Sequence, residues 1–152
     1  MSKVVIVDID ETLVFSRSRL EESIQFDDDE GISSYTLPRP GVWDFLNQIK
    51  EKNYRIISVT QGVVPFQKKV LEAVGVLDYF EEVYGWTSPA RTFATRPDVS
   101  SSKWVLVDNL PHDHHVLSEK AGWIGRSFDP EVNFIQCEEF NGQEVKCLTT
   151  LI

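Results

Sequence analysis

The sequence predicts an α/β protein built around a mainly parallel β-sheet, and three observations support this fold class. Short runs of apolar, mostly β-branched residues recur along the chain, as in Val4 to Val7 and Trp104 to Val107. These runs are continuously apolar rather than alternating, which is typical of strands buried on both faces of a parallel sheet. Segments with apolar residues at helical spacing lie between them, and strands that alternate with helices favour parallel pairing.

Length and composition are those of one globular domain spanning residues 1–152. The chain is 41% hydrophobic and 26% charged, within the usual range of globular proteins. A net charge of −9 argues against a broad nucleic-acid-binding surface. No window is apolar enough to span a bilayer, and the N-terminus lacks a signal-peptide layout. We therefore expect a cytoplasmic protein without a membrane partner, present as a monomer or a weak homodimer.

The first predicted strand, Val4 to Val7, opens directly into two carboxylates, Asp8 and Asp10. Side chains two residues apart on an extended segment point to the same side. Two like charges held so close shift each other's pKa unless a cation or a proton lies between them. Mg²⁺ would suit such a pair, because it prefers one or two carboxylates together with phosphate oxygens. The alternative is an acidic strand end that caps a turn.

A polar stretch follows, and we predict a short β-flap over about residues 15–38. Its acidic run, Asp27 to Glu30, is interpreted as a solvated turn rather than a metal site. Arg39-Pro40-Gly41 then marks a break before an amphipathic helix. The apolar residues that recur at helical spacing in this helix are Val42, Phe45, Leu46 and Ile49.

The middle of the chain predicts a second strand and a second helix. Tyr54 to Val59 is an apolar strand that ends at Thr60. Pro65 lies in the first turn of the helix, where proline is tolerated, and Gly75 is placed to stop it. The predicted apolar stripe of this helix consists of Phe66, Val70, Ala73 and Val74.

The last part of the chain predicts three more strands, a helix and a hairpin. The strands are Glu82 to Trp86, Trp104 to Val107 and Trp123 to Gly125, and the helix runs to about Ala121. Asn141-Gly142 is a strong turn signal and predicts a C-terminal hairpin over about residues 133–150.

Polar side chains follow three of the predicted strands at the points where they end. Asp8 and Asp10 follow the first, Thr60 ends the second, and Asp108 with Asn109 closes the strand that begins at Trp104. Parallel strands place their carboxyl ends at one edge of the sheet, so these groups should converge in one crevice. Asp113, five residues after Asp108, is expected to join them.

These residues resemble the motifs of the haloacid dehalogenase-like (HAD) phosphohydrolase superfamily. Asp8-Ile9-Asp10-Glu11-Thr12 matches its DxDx[TV] motif, Thr60 its second motif, and Asp108 with Asp113 its acidic last motif. Order and spacing agree from residue 3 to about 126. Arg39 to Val42 and Val107-Asp108-Asn109-Leu110-Pro111 are similar to the capless branch that includes RNA polymerase C-terminal-domain phosphatases, with Leu110 where serine is usual.

The resemblance implies a three-layer Rossmann-like fold without a large cap and a Mg²⁺-dependent phosphomonoesterase. Asp8 would be the nucleophile that forms an aspartyl-phosphate, and Asp10 the general acid and then base. Thr60 would hydrogen-bond the phosphoryl group, and Thr12 and Gln61 would contribute to substrate binding. The residues expected to hold or surround the metal are Asp8, Asp10 through its backbone carbonyl, Asp108, Asn109 and Asp113.

The third motif of the superfamily is a lysine that binds the phosphate, and three cations of this chain are candidates for it. Arg96 is preferred, because it lies in the loop where the capless branch has its lysine. Lys103 is second and Arg91, in the same loop as Arg96, is a possible phosphate ligand. The alternative for each is an ordinary solvent-facing cation.

The segment between the first motif and the Val42 helix is too short for a helical lid domain. An open site fits a phosphorylated substrate that is large, such as a phosphoprotein or a nucleic-acid end, and also admits a nucleotide. The alternative function is a catalytically weak phosphate-binding or regulatory module. A zinc site at His112, His114 and His115 is a further, less favoured alternative.

Overall fold

The computed structural model describes residues 3–16, 36–60, 64–85, 103–111, 113–115, 117, 119–120 and 128–140. The described residues of the first half form four strands and two helices: β1 (Lys3–Val7), β2 (Val14–Ser16), β3 (Thr36–Pro38), α1 (Val42–Glu51), β4 (Arg55–Thr60) and α2 (Val64–Val74). The 3₁₀ helix Leu77–Tyr79 follows, and then come β5 (Glu82–Gly85), β6 (Lys103–Asp108), α3 (Pro130–Asn133) and β7 (Phe134–Gln136).

Within the described residues, the main sheet has five strands in the order β5-β4-β1-β6-β7, and the pairings between these strands are parallel. The predicted fold class is therefore confirmed. β1 is the central strand, and Val4 to Val7 are almost completely buried, as the continuous apolar run predicts. Since β4 and β6 flank β1, the carboxyl ends of these three strands meet at one edge.

Side chains of β1 contribute to two apolar clusters, one on each face of the sheet. Val5 and Val7 pack with the buried residues of α1 and α2. Val4 and Ile6, on the opposite face, pack with Leu117, which lies in the helical segment after β6. Alternate side chains of a strand point to opposite faces, so this arrangement gives the predicted three layers.

Helix α1 buries all four residues that its spacing predicts, but the stripe of α2 differs from the prediction. Phe66 is only half-buried and Ala73 is exposed. Their neighbours Gln67 and Leu71 are buried instead. Val70 and Val74 are buried as predicted, so the prediction was wrong for Ala73 and left out Gln67 and Leu71. Gly75 ends α2 as predicted, with a φ of +84° that glycine adopts without strain.

The flap and the C-terminal hairpin are only partly described. β2 and β3 pair antiparallel, as expected for the base of a flap, whereas residues 17–35 lie outside the described residues. β7 pairs parallel with β6, and the predicted turn at Asn141-Gly142 and the strand at 123–125 also lie outside them. Within the described ranges, no helix is long and apolar enough to cross a membrane.

Arg39 joins the segment after β7 to the turn after β1. Its side chain is 2% exposed, and its Nη1 donates to the Glu138 carbonyl at 2.7 Å and the Thr12 carbonyl at 3.3 Å. The Phe140 amide adds a bond of 2.7 Å to the Glu11 carbonyl. A buried guanidinium that serves backbone carbonyls of distant segments ties the C-terminal chain to the β1 turn.

Replacing Arg39 with methionine should destabilise the fold. Arg39→Met keeps much of the side-chain volume but leaves buried carbonyl groups without their donor, which should cost about 2 kcal/mol of unfolding free energy. Chemical denaturation measures this loss. Arg55→Met is the matched control, because Arg55 pairs with Glu81 at a partly exposed position and its loss should cost less than about 1 kcal/mol. Equal losses in the two variants would contradict the role given to Arg39.

Candidate active site

The turn after β1 places Asp8 beside the end of β6. The Asp8 amide still donates to the Val107 carbonyl, at 2.9 Å, as a continuation of the parallel ladder. The chain then folds back, and the amides of Leu13 and Val14 donate to the Ile9 carbonyl. Glu11 has a positive φ of 60° within this turn. The Asp8 side chain is therefore held at the sheet edge by the backbone on both of its sides.

Asp8 and Asp108 converge on the ammonium group of Lys120. Lys120 Nζ donates to Asp8 Oδ1 at 2.9 Å and to Asp108 Oδ2 at 3.0 Å. The side chain of Asp108 is 0% exposed, that of Lys120 5% and that of Asp8 13%. Two carboxylates from neighbouring strands thus share one positive charge in a largely buried place.

Burial and the neighbouring charges shift the pKa values of Asp108 and Lys120. Burial, followed by the charge of Asp8, raises the pKa of Asp108, although Lys120 opposes the shift. Burial alone would lower the pKa of Lys120, but the charges of Asp8 and Asp108 outweigh it and raise that pKa above 10.5. Lys120 therefore remains protonated at neutral pH. The three side chains keep a net charge of −1 (−2 + 1) when both carboxylates are ionised, which favours a further cation.

Thr12 and Asn109 support the other side of the carboxylate pair. The Asn109 amide has its nitrogen toward Asp8 Oδ2 and Asp108 Oδ1, each at 3.1 Å, because its oxygen there would face only acceptors. Thr12, which is 0% exposed, donates its hydroxyl proton to Asp8 Oδ2 at 3.1 Å. Both residues therefore orient Asp8. Because Thr12 is completely buried, its side chain does not face a substrate as predicted, whereas the predicted place of Asn109 near the metal stays a prediction.

Asp10 is held by helix α2. Gln67 Nε2 donates to Asp10 Oδ2 at 2.8 Å, and the Gln67 side chain is buried. Thr60 lies close by in the sheet, since it ends β4 next to β1 and is 3% exposed. The structure thus brings Asp8, Asp10, Thr60 and Asp108 to one sheet edge, as the strand-end pattern predicts.

Lys103 and Asp113 are not part of this group. Lys103 begins β6 opposite Lys3 and is exposed, so it lies at the end of the strand remote from Asp108. The prediction of Lys103 as a catalytic cation was wrong, because a residue that starts a parallel strand lies at the opposite edge of the sheet. Asp113 is exposed and forms no hydrogen bond or ion pair with any other described residue, so its metal role is not supported either.

Gln61, Arg91 and Arg96 lie outside the described residues, and their predicted roles stay predictions. His112 does as well. Within the part of the chain that the structure describes, no group of three or more His, Cys, Asp or Glu residues is arranged to hold a metal ion. Asp8 and Asp108 are carboxylates, and carboxylate oxygens are donors that Mg²⁺ prefers together with water and phosphate oxygens.

Sequence reasoning missed Lys120 and Gln67, although a signal existed for each. Lys120 lies three residues after the buried Leu117, on the same face of its helical segment. Gln67 lies three and four residues before the buried Val70 and Leu71 of α2. In both cases a polar residue stands on the apolar face of a helix. Such a residue needs a polar partner. Lys120 finds Asp8 and Asp108, and Gln67 finds Asp10.

Removing the Lys120 charge should destabilise the protein in a pH-dependent way. Lys120→Met leaves two carboxylates buried without their cation, which should cost roughly 3 kcal/mol at neutral pH. Without the ammonium the pKa of Asp108 rises further above its ordinary 3.8, so the folded state holds a proton that the unfolded state releases. The free energy of unfolding of the variant should then increase as pH falls from neutral toward the raised pKa of Asp108. Its difference from the wild-type free energy of unfolding should shrink over the same range.

Denaturant titrations at neutral and mildly acidic pH measure this effect. Lys68→Met is the control, since Lys68 lies 3.4 Å from Glu82 with both side chains nearly half exposed. It should cost less than about 1 kcal/mol at either pH. A Lys120→Met deficit that is constant or grows on acidification would contradict the charge argument.

The family model of the NLI interacting factor-like phosphatases matches residues 3–152, almost the whole chain. A search of curated proteins found no matching sequence. Solved structures of the HAD superfamily resemble this one over most of their length, although sequence identity is low.

A predicted phosphatase from Clostridium acetobutylicum is 13% identical, with a TM-score of 0.59 over 90% of this chain and 94% of the other. A haloacid dehalogenase-like hydrolase from Streptococcus pneumoniae is 11% identical, with a TM-score of 0.57 over 82% of each chain. A HAD-superfamily hydrolase from Ehrlichia chaffeensis is 12% identical, with a TM-score of 0.52 over 91% of this chain and 88% of the other. These similarities concern the fold and agree with the match to the family model. The chain therefore belongs to the NLI interacting factor-like phosphatases and is a phosphatase with the HAD fold.

Proposed function

We propose that the protein is a Mg²⁺-dependent phosphomonoesterase that works through an aspartyl-phosphate on Asp8. The observation that carries this proposal is the convergence of Asp8 and Asp108 on the buried ammonium of Lys120. A nucleophilic carboxylate must be oriented, and it must approach a phosphate of the same charge. The lysine and the donors around Asp8 supply both the orientation and the opposite charge.

The reaction would proceed in two displacements at phosphorus. An Asp8 oxygen attacks, the bond from phosphorus to the leaving oxygen breaks, and Asp10 gives its proton to that oxygen. Asp10, now a carboxylate, takes a proton from water while the water oxygen attacks the phosphorus of the aspartyl-phosphate. The bond to Asp8 breaks, and inorganic phosphate leaves with the Asp8 carboxylate restored.

Mg²⁺ would be held by the side chains of Asp8 and Asp108 and by the backbone carbonyl of Asp10. When bound, it would supply positive charge for the transferring phosphoryl group, which carries charge on three oxygens. The net charge of −1 that remains on Asp8, Asp108 and Lys120 supports a cation at this place. Thr12 and Asn109 keep the Asp8 carboxylate in its orientation in either case.

Lys120 would perform the task that the third motif of the superfamily assigns to a lysine. It reaches the site from the helical segment after β6 rather than from the loop before it. Its two ion pairs place a fixed positive charge directly against the nucleophile. This proposal does not depend on Arg91 or Arg96, which retain their predicted contribution to phosphate binding.

The substrate would be a phosphomonoester on a molecule that approaches an open sheet edge. The absence of a segment long enough for a helical lid before α1 supports a phosphoprotein, a nucleic-acid end or a nucleotide. A panel of phosphopeptides, nucleotides and end-phosphorylated oligonucleotides ranks these classes by kcat/KM.

The enzyme should release phosphate from an aryl phosphate in the presence of Mg²⁺, and Asp8→Asn should abolish this activity. The amide of asparagine is no nucleophile, so the rate should fall at least ~10⁴-fold. Lys120→Met, or Lys120→Arg if the methionine variant does not fold, should lose roughly 100-fold or more. Free phosphate is measured as a function of time.

Lys103→Ala is the control in the same assay. Lys103 lies at the far edge of the sheet, so its variant should keep the wild-type rate. Mg²⁺-dependent activity that survives in Asp8→Asn would contradict the nucleophile assignment. A loss in Lys103→Ala equal to that in Lys120→Met would contradict the assignment of the cation. A wild-type protein that binds phosphate without turnover would favour a regulatory module.

A further inference from the structure

Gln67 is a buried polar residue that the reaction described above does not use. It lies in α2, is 2% exposed, and shares its helix face with Val70, Leu71 and Val74. Its Nε2 donates to Asp10 Oδ2 at 2.8 Å, a contact between residues 57 positions apart. The helix that follows the Thr60 strand thus reaches the side chain to which proton transfer is assigned.

Packing alone does not explain a glutamine at this position. The other buried residues of α2 are aliphatic, and an aliphatic residue would fill the same space without burying an amide. Among the described residues, Gln67 Oε1 has no hydrogen-bond partner. The buried Gln67 amide therefore has an Oε1 atom without a described hydrogen-bond partner, while its Nε2 atom donates to Asp10.

We propose that Gln67 is a positioning residue that fixes the Asp10 carboxyl group for proton transfer to the leaving oxygen of the substrate. This inference rests on the proposed phosphatase reaction. Oδ2 of Asp10 accepts the Gln67 N–H, and Oδ1 is buried, so this contact holds the carboxyl group in one orientation. During the first displacement the Asp10 carboxyl group gives its proton to the leaving oxygen as the phosphorus–oxygen bond breaks. During the second it takes one from the attacking water.

A glutamine amide suits this task because it is a neutral donor throughout the cycle. A lysine at position 67 would hold Asp10 as a carboxylate, and a carboxylate there would repel it. The amide neither takes the proton nor changes charge, so it can orient Asp10 in both protonation states. Such support matters because small misplacements of a catalytic group slow a reaction strongly.

The proposal predicts a dependence on the leaving group that a purely structural role would not produce. An alkoxide is strongly basic and leaves slowly unless it is protonated, whereas 4-nitrophenolate leaves without a proton. Gln67→Met keeps the length of the side chain and removes the donor. Its kcat with an alkyl phosphate should fall about tenfold or more, and with 4-nitrophenyl phosphate less than about threefold.

The experiment compares wild type, Gln67→Met, Gln67→Glu and Lys68→Met on these two substrates with Mg²⁺, with thermal melting as a check of folding. In Gln67→Glu, kcat should likewise fall more with the alkyl phosphate than with 4-nitrophenyl phosphate, by the same ratio or a greater one. This variant keeps the test available if the methionine variant does not fold. Lys68 is the neighbouring residue of α2, and its side chain is 45% exposed. Lys68→Met should keep both rates.

A double variant tests whether Gln67 acts through Asp10. In an Asp10→Asn background, Gln67→Met should cause no further loss with either substrate. Equal losses on both substrates in a folded single variant, no loss on either, or an additive loss in the double variant would each overturn the proposal for Gln67. Absence of wild-type turnover would instead overturn the phosphatase reaction on which it rests.

Discussion

The buried ion pairs of Lys120 with Asp8 and Asp108 are the interaction on which the site depends. Parallel pairing of β1 with β6 brings the two aspartates side by side, and an opposite charge between two such carboxylates offsets their repulsion in this largely buried place. Lys120 provides it from a helical segment whose Leu117 anchors that segment to the sheet. The register of the two strands and the packing of the helical segment therefore determine the charge of the site, because a shift of either would separate Asp8, Asp108 and Lys120.

A second constraint comes from the C-terminal side of the sheet. The Cys137 amide continues the β6–β7 ladder to the Asp108 carbonyl, and Arg39 and Phe140 bind the same segment to the turn after β1. Cys137 itself is buried, and burial raises the pKa of its thiol. The turn that presents Asp8 is therefore enclosed by backbone contacts from a distant part of the chain. Such enclosure keeps the Asp8 side chain, the proposed nucleophile, oriented before any substrate arrives.

The strand-end aspartates could be predicted from the sequence, whereas their partners could not. Strand direction alone fixes where Asp8, Thr60 and Asp108 lie. Lys120 and Gln67 lie on apolar helix faces, and a pattern that counts only apolar residues leaves such polar residues out. In α2 it included the exposed Ala73 and missed the buried Gln67. The predicted role of Lys103 was wrong for another reason. Lys103 and Asp108 are close in sequence, but they are the first and last residues of β6 and therefore lie at opposite edges of the sheet.

The central claim is that Asp8 becomes covalently phosphorylated. The most direct measurement is to stop the reaction during turnover, reduce acyl-phosphates with borohydride and locate the product by peptide mass spectrometry. The account predicts conversion of residue 8 to homoserine, dependent on both substrate and Mg²⁺. Reduction at Asp10 instead, or turnover that yields no reduced aspartate under conditions where phosphorylated enzyme accumulates, would contradict it.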